Sequence, residues 1–171
     1  MVPQDDQSQR EVDPQKESRA PLVEDLSRVC RWLNDRNSQY IVIGGMAMLR
    51  LGFTRATEDI DLLIKTDADN ESRVIDAIAQ LEDHAAGEIR PGEIGEYEVI
   101  RVADELTIDL MGKACGLTYD DAKNDIEWQE IDGVRIPFAS ATLMLKLKQS
   151  IREKDTLDRS FLISLLGPDK K

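Results

Sequence analysis

The sequence predicts an α/β (α+β) fold, in which a single domain has a mixed central sheet flanked by helices. Two observations support this prediction. Short apolar runs bounded by turn residues alternate with longer segments whose apolar residues recur at helical spacing. The chain has 171 residues, of which 41% are hydrophobic, enough for one packed domain and a tail. We therefore place one domain at residues 20–171.

The N-terminal segment, residues 1–19, is polar and charged and lacks the apolar periods of both strands and helices. We expect it to be a flexible arm. The pattern changes at Pro21, after which apolar residues recur at helical spacing as far as Asp35. Because proline suits the first turn of a helix, the first helix is predicted over residues 21–35.

Strands and helices then follow at short intervals. The predicted elements are, in chain order, a strand at Tyr40–Ile43, a helix at Met46–Leu51, a strand at Asp59–Ile64, a helix capped near Asp67, a hairpin of Tyr97–Val102 with Leu106–Leu110, a helical turn at Asp120–Asn124, a hairpin of Ile126–Ile131 with Val134–Phe138, a helix capped by Ser140, and a final helix that ends before Gly167. The second hairpin turns at Asp132-Gly133, a pair that suits a type I′ turn.

The net charge of −12 limits the classes of partner. Non-specific nucleic-acid binding depends on Lys and Arg that neutralise phosphates, so the charge disfavours a broad nucleic-acid platform. A small basic groove for one RNA end, or a basic partner protein, remains compatible with it. No apolar run approaches the roughly 20 residues of a membrane span, and we expect no secretory signal because residues 1–19 contain no apolar segment after a basic start. We therefore expect a cytoplasmic protein without a membrane partner.

The strand at Asp59–Ile64 carries two carboxylates at alternate positions, Asp59 and Asp61. Side chains alternate between the faces of a strand, so both carboxylates project from one face while Ile60 and Leu62 project from the other. Two like charges this close repel, and a divalent cation is their natural counter-charge. Oxygen ligands favour Mg²⁺ or Mn²⁺.

A glycine pair, Gly44-Gly45, follows the preceding strand, and thirteen residues separate it from Asp59. A Gly-Gly turn, this spacer, and then Asp-hydrophobic-Asp-hydrophobic resemble the nucleotidyltransferase superfamily of the DNA polymerase beta type. The chain is most similar to the stand-alone group that includes abortive-infection and toxin–antitoxin nucleotidyltransferases, over residues 40–166. The resemblance implies a nucleotidyltransferase fold for residues 20–171.

The resemblance also implies a reaction. The expected substrate is a nucleoside triphosphate bound with Mg²⁺ or Mn²⁺, from which a nucleoside monophosphate, or less commonly a phosphoryl group, moves to an acceptor. The implied acceptor is RNA or a protein, and the implied biology is a toxin-like enzyme with a cognate antitoxin as partner.

A third carboxylate is expected on a strand beside the acidic one, and Asp109 is the candidate. It lies in the apolar run Leu106–Leu110, where an unpaired aspartate would be costly. In the resembled superfamily the third acid comes from such a later strand, where it helps to bind metal and to activate the acceptor hydroxyl as a general base. Asp59, Asp61 and Asp109 are therefore the predicted catalytic residues and metal ligands.

The nucleotide is predicted to bind at two segments. At Gly44 and Gly45 a triphosphate can approach the backbone N–H groups because side chains are absent. Many superfamily members have Gly-Ser here, so Thr57 is the candidate for the missing hydroxyl. Similar proteins place an Arg-x-Thr before the acidic strand, and Arg55 is expected to brace a phosphate or orient Asp59.

The second segment lies near the C-terminus and resembles the Lys…Arg-x-Lys-Asp-x-x-Asp segment of toxin-like members. Lys146 and Lys154 are expected to hold triphosphate charge, and Arg152 to bind two oxygens at once. Asp155 completes the predicted nucleotide-binding residues and is also placed to cap the final helix.

Two alternative functions remain open. One is modification of a small molecule such as an antibiotic, for which an acidic acceptor pocket beside the three aspartates is expected. An enzyme that modifies RNA needs a basic groove there instead. The other alternative is a non-catalytic module that binds a nucleotide or a partner protein on the same fold.

Overall fold

A computed structural model describes residues 9–12, 17–149 and 153–167 of the chain. The strands are β1 (Gln9–Val12), β2 (Tyr40–Ile43), β3 (Asp59–Ile64), β4 (Val99–Ala103), β5 (Thr107–Met111), β6 (Lys113–Ala114), β7 (Leu117–Thr118), β8 (Ile126–Ile131) and β9 (Val134–Ala139). The α-helices are α1 (Val23–Asp35), α2 (Gly44–Arg50), α3 (Ala68–Ile78), α4 (Glu93–Glu96), α5 (Tyr119–Ala122), α6 (Ala141–Leu147) and α7 (Glu153–Leu166). Short 3₁₀ helices cover Ala85–Glu88 and Lys123–Asp125.

Seven strands form one mixed sheet in the order β1-β4-β5-β3-β2-β9-β8, while β6 and β7 pair separately. Within the large sheet β1 is parallel to β4, β5 to β3, and β2 to β9, whereas the other neighbours are antiparallel. This arrangement confirms the predicted α/β fold with a mixed central sheet. The acidic strand β3 lies at the centre, between β5 and β2, and is therefore covered on both edges.

Both predicted hairpins are present. β4 and β5 are antiparallel, with Arg101 opposite Asp109. β8 and β9 are joined by Asp132 and Gly133, which have positive φ values of 52° and 76°. Positive φ at both central residues is what a type I′ turn requires.

The helices cover the sheet with their apolar faces. In α1 the side chains of Leu26, Val29 and Leu33 are fully buried, and the helix contacts α3 and β9. The predicted caps are confirmed: Asp67 accepts a hydrogen bond from the N–H of Asn70 (2.8 Å), and Ser140 accepts one from the N–H of Leu143 (3.1 Å). Each cap satisfies a backbone donor that the first turn leaves without an intrahelical partner.

The structure differs from the prediction at three places. Gln9–Val12 forms the edge strand β1 within the predicted flexible arm, because its backbone pairs with β4 without needing an apolar pattern. Helix α2 begins at Gly44 and not at Met46, so it contains the glycine pair. Asp155 lies inside the first turn of α7 and not at the N-cap position before Glu153, and its carboxylate pairs with Lys148.

Within the described residues, no helix combines the length and the apolar character that a membrane span requires.

Candidate active site

Three carboxylates converge at the centre of the sheet. The alternation of β3 places Ile60 and Leu62 in the core, fully buried, and leaves Asp59 and Asp61 partly exposed on the opposite face. Strand β5 runs parallel to β3 with Asp109 in register with Asp61. Carboxylate oxygens from these three aspartates lie within 4.8 Å of one another. The two strands thus bring the predicted acids together, and we call them the triad.

The glycine pair packs directly against the triad. Gly44 has a φ of +67°, and a Cβ at this position would lie 1.9 Å from Oδ2 of Asp61. At Gly45 a Cβ would lie 2.8 Å from Oγ1 of Thr57. Only glycine therefore allows the backbone of this turn to approach Asp61 and Thr57. The Thr57 hydroxyl oxygen is buried and has no hydrogen-bond partner among the described residues.

The triad carries more negative charge than its surroundings compensate. Burial and the negative charges of Asp109 and Asp59 together raise the pKa of Asp61 to about 7, while the positive charge of Lys148 acts in the opposite direction. A positive charge brought close to such a carboxyl group favours its ionised form.

Arg101 on β4 is a residue of the site that the sequence analysis missed. Its Nε donates to Oδ1 of Asp109 and its Nη2 to Oδ2, both at 2.9 Å. Nη2 also lies 3.3 Å from Oδ2 of Asp59. The predicted hairpin held only part of this signal: its turn at residues 103–105 would pair Arg101 with Thr107, whereas the observed register places Arg101 opposite Asp109.

Lys148, just after α6, is the second missed residue. It is buried, with Nζ 3.3 Å from Oδ1 of Asp155 and 3.1 Å from Oδ2 of Asp158, and its charge acts on Asp61. The fully buried carboxylate of Asp158 also pairs with Nη2 of Arg55 at 3.2 Å. These side chains form an ion network that connects the segment before β3 to helix α7.

The other predicted nucleotide-binding residues lie in different surroundings. Arg55 pairs with Asp158 and not with Asp59, although it was expected to orient the latter. Lys146 is exposed and pairs with Asp125, next to β8, at 3.5 Å. Arg152 lies outside the described residues, and Lys154 is described only as part of the backbone of α7. The roles of these residues in nucleotide binding stay predictions.

The donor set fits a small divalent cation. Three carboxylates from two adjacent strands offer oxygen ligands, which Mg²⁺ and Mn²⁺ prefer. The raised pKa of Asp61 shows that its negative charge lacks full compensation. Asp59, Asp61 and Asp109 are therefore the residues that would hold the metal.

Comparisons with known proteins agree with this fold. A family model described as "Nucleotidyl transferase of unknown function (DUF2204)" matches residues 22–162. A proposed nucleotidyltransferase from Thermotoga maritima has a similar solved structure, with 16% identity, a TM-score of 0.50, and coverage of 85% of this chain and 97% of that one. An antigenic nucleotidyltransferase-like protein from Paracoccidioides brasiliensis matches with 21% identity, a TM-score of 0.48, and coverage of 84% and 76%. No curated protein matches the chain at a significant level.

Proposed function

This chain belongs to the family of nucleotidyl transferases of unknown function (DUF2204), and we propose that it moves a nucleoside monophosphate from a nucleoside triphosphate onto a hydroxyl acceptor. One observation carries the proposal. Asp59, Asp61 and Asp109 converge beside a turn whose two glycines leave no room for a side chain. A carboxylate cluster next to an approachable backbone is what a triphosphate bound with a divalent cation needs.

The metal-binding part of the proposal assigns Asp59, Asp61 and Asp109 as ligands. A Mg²⁺ or Mn²⁺ ion held there would supply positive charge to the phosphate oxygens on which negative charge develops. The protein itself contributes positioning and electrostatics, with no covalent intermediate on a side chain.

The nucleotide-binding part centres on the glycine turn. In this proposal the phosphate oxygens lie against the backbone N–H groups of Gly44 and Gly45. The hydroxyl of Thr57, which is buried beside Gly45 and has no hydrogen-bond partner among the described residues, donates to one of them. Lys148 lies near Asp61 and presents a charge that suits the triphosphate. Its two aspartate partners fix the position of the ammonium group before the substrate binds.

The C-terminal residues of the predicted nucleotide site are proposed as a supporting group. Asp155 acts through Lys148, and Arg55 acts through Asp158 by fixing α7 against the segment before β3. Lys146, Arg152 and Lys154 stay predictions drawn from the resemblance.

The chemical step is a direct displacement at the α-phosphorus. The acceptor hydroxyl loses its proton to a carboxylate oxygen of Asp109, and its oxygen forms a bond to the α-phosphorus. The bond between the α-phosphorus and the oxygen that bridges to the β-phosphorus breaks at the same time. Pyrophosphate leaves with that electron pair. Arg101 holds both oxygens of Asp109, which fixes the orientation of this base.

RNA or a protein as acceptor, and a toxin-like role with a cognate antitoxin, stay predictions from the resemblance. A small-molecule acceptor is the second candidate, and one observation favours it. A polar pocket of about 440 Å³ opens beside the triad, a size typical of small-molecule sites. We call it the acceptor pocket; it is lined by Glu58, Asp59, Arg101 and Thr107 and by Ser18 and Ala20 of the N-terminal segment.

Label transfer tests the proposed reaction. The purified chain is incubated with Mg²⁺ or Mn²⁺ and each of the four nucleoside triphosphates, labelled at the α- or the γ-phosphate, with protein, total tRNA and a cell lysate as acceptors. The double variant Asp59→Asn/Asp61→Asn serves as the inactive protein. Asp76→Asn, an exposed aspartate on α3, is the matched control for the same chemical change.

The expected result is label from the α-phosphate in one acceptor fraction, with the wild type and Asp76→Asn but not with the double variant. Label from the γ-phosphate alone would make the protein a kinase on this fold. Metal-dependent nucleotide binding without transfer would favour the non-catalytic module. Transfer that survives in the double variant contradicts the assignment of the triad.

A further inference from the structure

We infer that the acceptor pocket binds a compact hydroxyl compound that carries positive charge, and that it does not bind a nucleic acid. The inference rests on the proposed nucleotidyl transfer and adds the class of acceptor to it. The position of the pocket relative to the triad, the construction of its N-terminal wall and the charge of its lining lead to this assignment.

The position of the pocket suits the attacking group. In a displacement at phosphorus, the attacking and leaving oxygens lie roughly in line on opposite sides of the reacting atom. The glycine turn follows β2, on one side of β3, and is the proposed site of the leaving pyrophosphate. The acceptor pocket opens on the other side of β3, towards β5 and β4. The triad lies between the two, as the reaction requires.

The N-terminal wall of the pocket is built by residues 17–20, which we call the wall segment. The Ser18 hydroxyl donates to the carbonyl oxygen of Asp104 at 2.7 Å, and the N–H of Arg19 donates to the carbonyl oxygen of Glu105 at 3.1 Å. Arg19 also pairs with both carboxylate oxygens of Asp25, each at 2.7 Å. The wall segment is therefore fixed to the β4–β5 turn and to α1, and it gives the pocket a defined shape.

The arginines that the structure describes around the pocket already have carboxylate partners. Arg101 is held by Asp109 and Asp59. Arg19 and Arg28 are both paired with Asp25, and Arg28 also with Glu105. A polyanion would have to break these pairs before it gained a cationic contact, which is unfavourable for nucleic-acid binding.

Among the described residues that line the pocket, the charge that remains outside these ion pairs is negative. Glu58 is exposed at the pocket and forms no ion pair with any residue that the structure describes. A protonated amine on the acceptor would pair with this carboxylate. The hydroxyl oxygens of Ser18, whose proton is donated to Asp104, and of Thr107 can accept hydrogen bonds from the other polar groups of such a molecule. The acidic character of the whole chain, −12, adds long-range attraction for a cation.

Equilibrium binding tests the acceptor class without depending on turnover. The probes are glucosamine and tobramycin, each paired with its fully N-acetylated form, which keeps the hydroxyls and lacks the charge; total tRNA is the polyanionic probe. Titration calorimetry is performed on the full chain with Mg²⁺ and the α,β-methylene analogue of the nucleotide that binds best. Binding of that analogue is measured first, because it tests the proposed function on its own.

The variants separate the pocket from general charge effects. Glu58→Gln is expected to weaken the cationic probe about tenfold, the scale of a lost charge-assisted hydrogen bond. Ala20→Trp fills the pocket from its exposed wall and is expected to abolish probe binding while nucleotide affinity is kept. Glu130→Gln, the same change on the exposed strand β8, is the control and is expected to behave as the wild type.

The inference is supported if an amine-bearing probe binds at least about tenfold more tightly than its acetylated form and Glu58→Gln removes the difference. Equal affinity for both forms, or tighter binding of tRNA that Ala20→Trp abolishes, overturns the acceptor class while the proposed function stands. Absence of metal-dependent nucleotide binding overturns the proposed function, and the inference with it.

Discussion

Two aspartates of this protein lie against the sheet in opposite electrostatic settings. Asp104, in the β4–β5 turn, is fully buried and accepts hydrogen bonds from the backbone N–H groups of Asp83, Ala85 and Glu105, at 3.0, 3.0 and 2.7 Å. Asp61, on the strand β3 that pairs with β5, has other carboxylates as its neighbours. One carboxylate is satisfied by the fold and the other is not.

The pKa values follow from this difference. Burial alone raises the pKa of Asp104, but the hydrogen bonds from Ala85, Asp83 and Glu105 outweigh burial and hold it below its usual value. For Asp61 burial and the neighbouring charges act together and raise its pKa to about 7. A carboxylate that the fold compensates is structural, whereas one left uncompensated at an open site marks a place for a ligand.

Asp61→Asn tests the functional side of this comparison and has the largest expected effect. We expect transfer to fall at least about 1000-fold, because one ligand of the metal and its charge are lost. The free energy of unfolding without metal is expected to stay level or rise, since a repelled carboxylate is removed. Rates and urea unfolding are measured beside Asp76→Asn, and activity within tenfold of wild type would contradict the assignment.

Gly44→Ala tests how closely the turn must approach Asp61. The new Cβ would lie 1.9 Å from Oδ2 of Asp61, so the carboxylate must move, and transfer is expected to fall about 100-fold. The left-handed backbone adds roughly 1–2 kcal/mol of destabilisation.

Gly133→Ala is the matched control, because Gly133 also has a positive φ but its Cβ would meet nothing within 4 Å. It is expected to lose stability and keep its activity per folded molecule. Equal losses of activity in Gly44→Ala and Gly133→Ala would show that backbone strain, and not the contact with Asp61, is responsible.

Asp104→Asn tests the structural side. The amide that replaces the carboxylate is neutral and has only one acceptor oxygen, so it cannot satisfy all three backbone donors. The free energy of unfolding is therefore expected to fall by about 2 kcal/mol. Metal and nucleotide affinity of the folded protein are expected to be unchanged. Denaturant unfolding and calorimetric binding measure both, and a loss of metal affinity at unchanged stability would reverse the roles given to Asp104 and Asp61.

Per pH unit, the dependence of stability on pH is the smallest of these effects, and it gives the sharpest contrast in sign. The lowered pKa of Asp104 means that its stabilisation is present above the unfolded value, about 3.9, and is lost as the pH falls through its folded value. The raised pKa of Asp61 has the opposite consequence: the metal-free protein loses stability as the pH rises from about 4 through 7.

Each group changes the slope by at most about 1.4 kcal/mol per pH unit. Unfolding in EDTA from pH 3 to 8 is therefore compared for wild type, Asp61→Asn and Asp104→Asn. We expect Asp61→Asn to flatten the neutral part of the profile and Asp104→Asn the acidic part. If Asp61→Asn leaves the neutral part unchanged, the carboxyl is not held protonated by its surroundings.

The sequence was sufficient to predict the elements whose patterns are local. The alternation of β3, the Asp132-Gly133 turn and the caps at Asp67 and Ser140 all depend on residues within a few positions of one another, and all are present. The triad was predictable because two aspartates share one strand and the third lies in an apolar run beside it. Strand β1 was not, because an edge strand held by backbone pairing needs no apolar period.

The cations of the site depend on long-range packing. Lys148 reaches Asp155 and Asp158 only because α7 folds back on α6, which no local pattern reports. A weak signal existed, since Lys148 lies four residues after the buried Met144 and so continues the buried face of α6. Lys146, which was predicted from the resemblance of this segment, falls on the exposed side.

The most direct test of the central claim is a crystal of the full chain grown with Mn²⁺ and the α,β-methylene analogue of its preferred nucleotide. Anomalous scattering then locates the metal independently of any activity. We expect an anomalous peak for Mn²⁺ within bonding distance of carboxylate oxygens of Asp59 and Asp61, with the triphosphate against Gly44 and Gly45. A nucleotide bound elsewhere, or a triad still paired with Arg101 and without a peak at saturating Mn²⁺, would contradict it.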